Sequence, residues 1–163
     1  MLAGQVGLVR HSKGWVGKVV EWATDSTSHH VIVALGDDLC VSADLPRVII
    51  RAHREFHAIE WSDFDLTGEQ REGIVASALS MVGRPYNVPA IALLLASKIT
   101  GVPIPRFAVD WLERNPGLDC SQLAHIAMRA GGLELFPHAD ASLTVPAHYE
   151  ALFLERGWLT FPL

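Results

Sequence analysis

Two side-chain types in this sequence can make a nucleophile and its base: the cysteine at position 120 and the histidine pair His29-His30. Cys120 lies in Leu118-Asp119-Cys120-Ser121-Gln122-Leu123, just after Asn115-Pro116-Gly117, which forbids an earlier helix start. Asp119 is a good N-cap, and Leu123, Ile126, Ala127 and Ala130 follow at helical spacing before Gly131-Gly132 supplies a left-handed stop. A thiol in the first turn meets unpaired amides and the positive end of the helix dipole, so its pKa is expected to fall below the ~8.5 of a free cysteine. The competing reading is a small buried hydrophobe. A base within ~3 Å, itself oriented by a third group, decides between them.

His29 and His30 open the most strongly β-forming run of the chain, His30 to Leu35. Side chains alternate along a strand, so only one of the two can face the cysteine. His30 shares its side with Ile32 and Ala34, and His29 with Val31 and Val33. Alternation alone leaves the choice open.

The elements that must position these groups can be read in order. Gln5 to Arg10 is a short apolar strand, and Gly14 to Trp22 a short helix with Trp15, Val16, Val19, Val20 and Trp22 turned inward. Gly36-Asp37-Asp38 connects the histidine strand to a second strand, Leu39 to Ala43, as a hairpin. Val48 to Ala52 and Ala58 to Trp61 are further strands with a bend between them. Thr67-Gly68-Glu69-Gln70 is a capping-box sequence opening a helix whose apolar face is Ile74, Ala78, Leu79 and Val82 and which ends at Gly83. Pro89 to Ile99 is an apolar helix, Gly101 to Pro105 a loop, Pro146 another helix start, and Trp158 to Leu163 an apolar tail that packs down. With no repeat, linker or low-complexity segment, residues 1–163 are expected to form one α+β domain.

Composition narrows the function classes. A net charge of −5 argues against a partner with a phosphate backbone, so no nucleic acid is expected. Cys40 and Cys120 are the whole cysteine complement, too few for a disulfide framework or a cysteine-rich zinc site. Cys40 falls inside a strand and is expected in the core. His53 and His57 have the spacing of a helical metal pair, but they stand in strand- or bend-like sequence without an HExxH-type partner, so no metal and no cofactor is expected. The apolar run Val88 to Ala96, broken by Pro89, is far short of the ~20 residues of a membrane span. No export signal is visible, so the chain is expected in the cytoplasm as synthesised. An extracellular target would then be reached on lysis or within a particle.

Four motifs taken together, Ser28-His29-His30-Val31-Ile32-Val33, Gly83-Arg84-Pro85-Tyr86-Asn87, Asp119-Cys120-Ser121-Gln122-Leu123 and Thr144-Val145-Pro146-Ala147, stand in an order that resembles the circularly permuted papain-fold (NlpC-type) cysteine peptidases and amidases. In that group the histidine strand precedes the cysteine helix. The resemblance implies an antiparallel sheet packed against the cysteine-bearing helix. It implies Cys120 as nucleophile and His30 as general base, because the family histidine runs directly into a hydrophobic strand. It implies Tyr86 as a substrate-site residue, with Asn87 where an aspartate is common. The implied activity is thiol-dependent hydrolysis of an amide, in a peptide or a peptidoglycan stem peptide of bacterial or phage context. Two other readings remain: a thioester-forming lipid acyltransferase, as in permuted relatives related to lecithin:retinol acyltransferase, and a non-catalytic module such as a phage-particle component.

Relatives carry an acidic or other polar third residue on the strand after the histidine, and alignment puts Ser42 there. If Gly36-Asp37-Asp38 is a three-residue loop, Ser42 falls opposite Ile32 and Asp44 opposite His30; a two-residue loop turns both to the other face. Asp44 is the expected third residue, since a carboxylate orients an imidazole and stabilises its cation better than a hydroxyl.

Overall fold

The computed structural model describes residues 2–11, 14–114, 117–137 and 141–159. Five strands form one antiparallel sheet: β1 (Val6–Arg10), β2 (Ser28–Gly36), β3 (Leu39–Ala43), β4 (Val48–Ala52) and β5 (Ile59–Trp61), in spatial order β4-β3-β2-β1-β5. Six helices accompany them: α1 (Trp15–Thr24), α2 (Gly68–Ser80), α3 (Val88–Thr100), α4 (Arg106–Glu113), α5 (Cys120–Ala130) and α6 (Pro146–Glu155). The α+β class and the antiparallel sheet against the cysteine helix are therefore as expected.

The Val-Ile-Val run makes β2 the central strand because it can be buried on both sides. Val31 and Val33 face the main core with Leu123, Ala124, Ala127 and Met128 of α5, Ile74 and Ala78 of α2, and Tyr149 and Phe153 of α6. Ile32 faces the other side with Val9 and Cys40, under Phe56, Ile59 and Trp61. Gly7 lets that second cover close: a Cβ there would lie 2.8 Å from both Ile59 and Trp61. Cys40 is a core residue, as expected.

Gly131 fixes the approach of α5 to α2. A Cβ at that position would meet Ile74 Cγ1 at 2.5 Å and the Gln70 carbonyl at 2.8 Å, and the latter is backbone that cannot swing aside. Gly131→Ala should therefore cost about 1–3 kcal/mol, read as a lower denaturation midpoint with an unchanged slope.

Several local expectations change. The hairpin closes on two residues, Asp37 and Asp38, both at positive φ, with Gly36 paired to Leu39. An irregularity between Ala34 and Gly36 adds the missing residue, so the register is still Ile32↔Ser42. Val20 and Ala23 are the described inward residues of α1, whereas Trp22 is exposed because two residues are about 200° of helical rotation. Leu79 and Val82 are likewise exposed, and Met81 takes the buried place. Helix α4 is an addition, carried by Ala108, Val109 and Leu112 at helical spacing. Of the tail, Trp158 and Leu159 pack on the core, and 160–163 lie outside the described residues, as do Asn115 and Pro116.

Candidate active site

Asp119 caps α5 as its sequence suggests: Oδ1 accepts from the Gln122 amide at 2.8 Å, and the carboxylate accepts from Ser121 N–H as well. The cap is set down on the sheet by the preceding chain. Leu118 N–H donates to the Pro85 carbonyl at 2.9 Å, Asn87 N–H to Leu118 at 3.1 Å, and Tyr86 N–H to Pro46 at 2.9 Å. The Gly83–Asn87 turn thus joins the start of β4 to the cysteine loop. Asn87, buried, ends this turn by capping α3, its Oδ1 accepting from Ala90 N–H at 3.3 Å.

These constraints put the Cys120 sulfur against β2, in one core cluster with Val31. Val31 follows His30 directly in the strand. The His30 ring is held from its far side. Its Nε2 is 2.7 Å from Ser42 Oγ and 3.6 Å from Asp44 Oδ1, and Phe56 lies 6.0 Å away in a stacked arrangement. Ser42 and Asp44 therefore meet the same ring nitrogen, the hydroxyl at hydrogen-bond distance and the carboxylate just outside it. Asp44 lies one residue past β3 and is shared with Arg51, whose Nη1 is 3.0 Å from Oδ2. Sequence reasoning had no signal for Arg51, which comes to Asp44 only through the β3–β4 register.

His29 has a different setting. The β1–β2 register steps from Val9↔His30 to Arg10↔Ser28, so His29 is the extra residue of a bulge. Its Nδ1 lies 3.2 Å from Glu21 Oε1 of α1. The bulge lets both histidines approach the same region, which strict alternation would not allow. His125, buried on α5, stacks on Phe136.

Two clefts meet here. One is lined by Cys120, His29, Tyr86 and Asp119 together with Val20, Ile91, Leu94, Ile104, Leu112 and Val145. The other is lined by His29, His30, Asp44 and Tyr86 with Arg10, His11, Arg51 and Glu55. Tyr86 and His29 belong to both. The first is mainly apolar and contains the sulfur; the second is the more polar of the two, carries Arg10, Asp44, Arg51 and Glu55, and contains the His30 ring.

Burial dominates the titration of these groups. His30 is pushed down to about 4 by desolvation, against the pull of Asp44, so its ring is neutral at pH 7. Cys120 is pushed up to about 12 by burial first and the neighbouring Asp119 second, against hydrogen bonds from Val31 and Ser121. This reverses the expected lowering: desolvation of a residue only 5% exposed outweighs the pull of the helix terminus. Asp119 is raised to about 7 by its own burial. At rest the pair is a thiol and a neutral imidazole.

Among the described residues no group of three or more His, Cys, Asp or Glu is arranged to hold a metal ion. His53 instead lies 4.9 Å from the Trp61 ring, its Nε2 on the Leu39 carbonyl. No family model matches this chain, and no curated protein matches it.

Proposed function

We propose that the chain is a thiol-dependent amide hydrolase with a permuted papain-like fold, in which Cys120 is the nucleophile and His30 its general base. One observation carries the reading. Cys120 at the start of α5 packs in one cluster with Val31, the residue after His30, while Ser42 lies at hydrogen-bond distance from Nε2 of that ring and Asp44 just beyond it. With Nε2–H directed at Ser42 and Asp44, the lone pair is on Nδ1, the nitrogen left to receive a proton from the thiol.

The cycle follows from that tautomer. Nδ1 takes the Sγ proton as sulfur bonds to the amide carbonyl carbon, and Asp44 stabilises the imidazolium formed. In the first turn Ser121 and Gln122 donate to the Asp119 carboxylate, leaving the Cys120 N–H to receive the developing oxyanion. The C–N bond breaks as His30 returns the proton to the leaving amine, and water, deprotonated by the same nitrogen, hydrolyses the thioester. Because the acyl group stays on sulfur and the amine leaves from His30, the acyl part belongs to the apolar cleft and the amine part to the polar one. Tyr86, on both, would touch the substrate at the scissile bond.

Peptides and peptidoglycan stem peptides are the proposed amides, met on lysis or from within a particle. Incubation with such substrates followed by rapid acid quench and mass spectrometry should find an acyl group on the Cys120 peptide. A turnover that leaves no adduct, even when deacylation is slowed, would argue against the thioester. A second reading, lipid acyl transfer, is favoured by the apolar lining of the sulfur's cleft. Label from an acyl-lipid ester retained on Cys120, without peptide cleavage, would select it.

Ser42 and Asp44 should differ in a measurable way. Ser42→Ala removes a neutral hydrogen bond and should lower kcat/KM about tenfold. Asp44→Asn removes the charge that favours the imidazolium and should lower it by about a hundredfold, with most of the loss in kcat. Equal, negligible losses from both would mean that the ring is oriented by packing alone.

A further inference from the structure

Arg51 ties together the groups that surround the His30 ring. Cys40 and Ser42 share one face of β3, and the pairing Cys40↔Arg51 brings Arg51 of β4 to the same face. Its guanidinium Nη1 lies 3.0 Å from Asp44 Oδ2, while Nε and Nη2 each lie 3.0 Å from Glu55 Oε2. Glu55 is itself fixed, its Oε1 accepting from Ala52 N–H at 3.1 Å, so the fork has an anchor. The guanidinium carbon sits 4.6 Å from the centre of the Phe56 ring, which in turn stacks on His30. Three side chains hold the His30 ring, namely Ser42, Asp44 and Phe56, and Arg51 touches two of them. Asp44 divides its oxygens, Oδ2 to Arg51 and Oδ1 3.6 Å from Nε2. An approach of about 1 Å would make Oδ1 a charge-assisted partner of Nε2 in place of Ser42.

We propose that Arg51 is a positioning residue for His30: by holding Asp44 back and supporting Phe56, it keeps Nε2 on the Ser42 hydroxyl and the resting ring a neutral base. The inference takes its catalytic meaning from the Cys120–His30 reading. A carboxylate bonded directly to Nε2 favours the imidazolium, which cannot take the proton of a thiol. Held by Arg51, Asp44 is close enough to stabilise the cation formed during attack and too far to fix it beforehand. Burial lowers the His30 value most, Asp44 opposes it, and His29 and Arg51 lower it further. The other titratable side chains of this cleft are Arg10, His11, His29, Glu55, His57 and Tyr86. Arg10 is committed to Glu60 and Glu150 at 2.8 and 2.9 Å, and His29 is directed at Glu21. Arg51 is thus the arginine of this cleft that bears on the ring's own partners.

The test is a histidine titration by NMR of the full chain carrying Cys120→Ala, with the His30 signal assigned by its loss in a His30→Gln variant. The ring should titrate at about 4 while Arg51 is present. Arg51→Met should raise that midpoint by about one pH unit or more, as Asp44 closes on Nε2. A locally loosened fold would raise it too, so Arg51→Met is repeated in an Asp44→Asn background, where it should move the midpoint far less. An unmoved midpoint in Arg51→Met, or the same rise with and without the Asp44 carboxylate, would overturn the proposal. The titration involves neither thiol nor substrate, so its outcome is separate from whether Cys120 reacts.

Discussion

Cys120→Ala will abolish amide hydrolysis, with kcat/KM falling by at least about a thousandfold, and will leave the fold in place. Loss of a nucleophile removes every step that passes through the acyl-enzyme, and only binding and the oxyanion donor remain. The fold should survive because the sulfur is one atom at the edge of a cluster built mainly by Leu123, Met128, Tyr149 and Phe153. Its removal should cost about 1 kcal/mol. Cys120→Ser is the stricter comparison, since it nearly keeps the volume while replacing the nucleophile by a far weaker one. Undiminished hydrolysis in either variant would place the chemistry elsewhere.

His30→Ala should cost about a thousandfold, whereas His29→Ala should cost no more than about threefold. His29 lines the cleft that holds the sulfur and His30 the adjoining one, so the difference sets orientation against proximity. Only His30 has one nitrogen fixed by Ser42 and Asp44; His29 is directed at Glu21. The pH profile adds an independent readout. With His30 at about 4, the acid limb of kcat/KM should lie near that value and should be lost with the His30 ring. The same lowering links to stability. Between the ordinary histidine value of 6.5 and about 4, the unfolded chain binds a proton that folded His30 does not, so this ring's contribution is present above 6.5 and is lost as pH falls through that window. Melting temperatures of the parent and a His30→Gln variant should therefore converge as the solution is acidified.

Where the sequence was informative, the signal was local. Asp119 before Cys120 and the Thr67–Gln70 box are cap chemistry, and both caps form as expected. The Ile32↔Ser42 register is one of the two the sequence left open, and it arises by a compensation: a two-residue turn and an irregularity at Leu35 together restore the pairing of a three-residue loop. The bulge at His29 was not legible. It depends on how β1 meets β2, and alternation read from one strand carries no information about its partner. Nor was the thiol's environment legible. The helix terminus can be seen in Asp119-Cys120, but the burial that outweighs it comes from β2, Tyr86 and α6, all distant in sequence. Helix α4 was hidden by its shortness and by the Pro-rich loop before it, and without α4 the apolar cleft had no outer wall.

The most direct test of the Cys120–His30 pair needs no substrate. The rate of iodoacetamide labelling of Cys120 at pH 7, followed by peptide mass spectrometry so that Cys40 is scored separately, should be measured in the parent, His30→Ala and His29→Ala proteins. Labelling of the parent should be slowed about a hundredfold by His30→Ala and left nearly unchanged by His29→Ala, since a positioned neutral imidazole accepts the thiol proton as sulfur attacks. Equal rates in parent and His30→Ala, or a loss confined to His29→Ala, would contradict it.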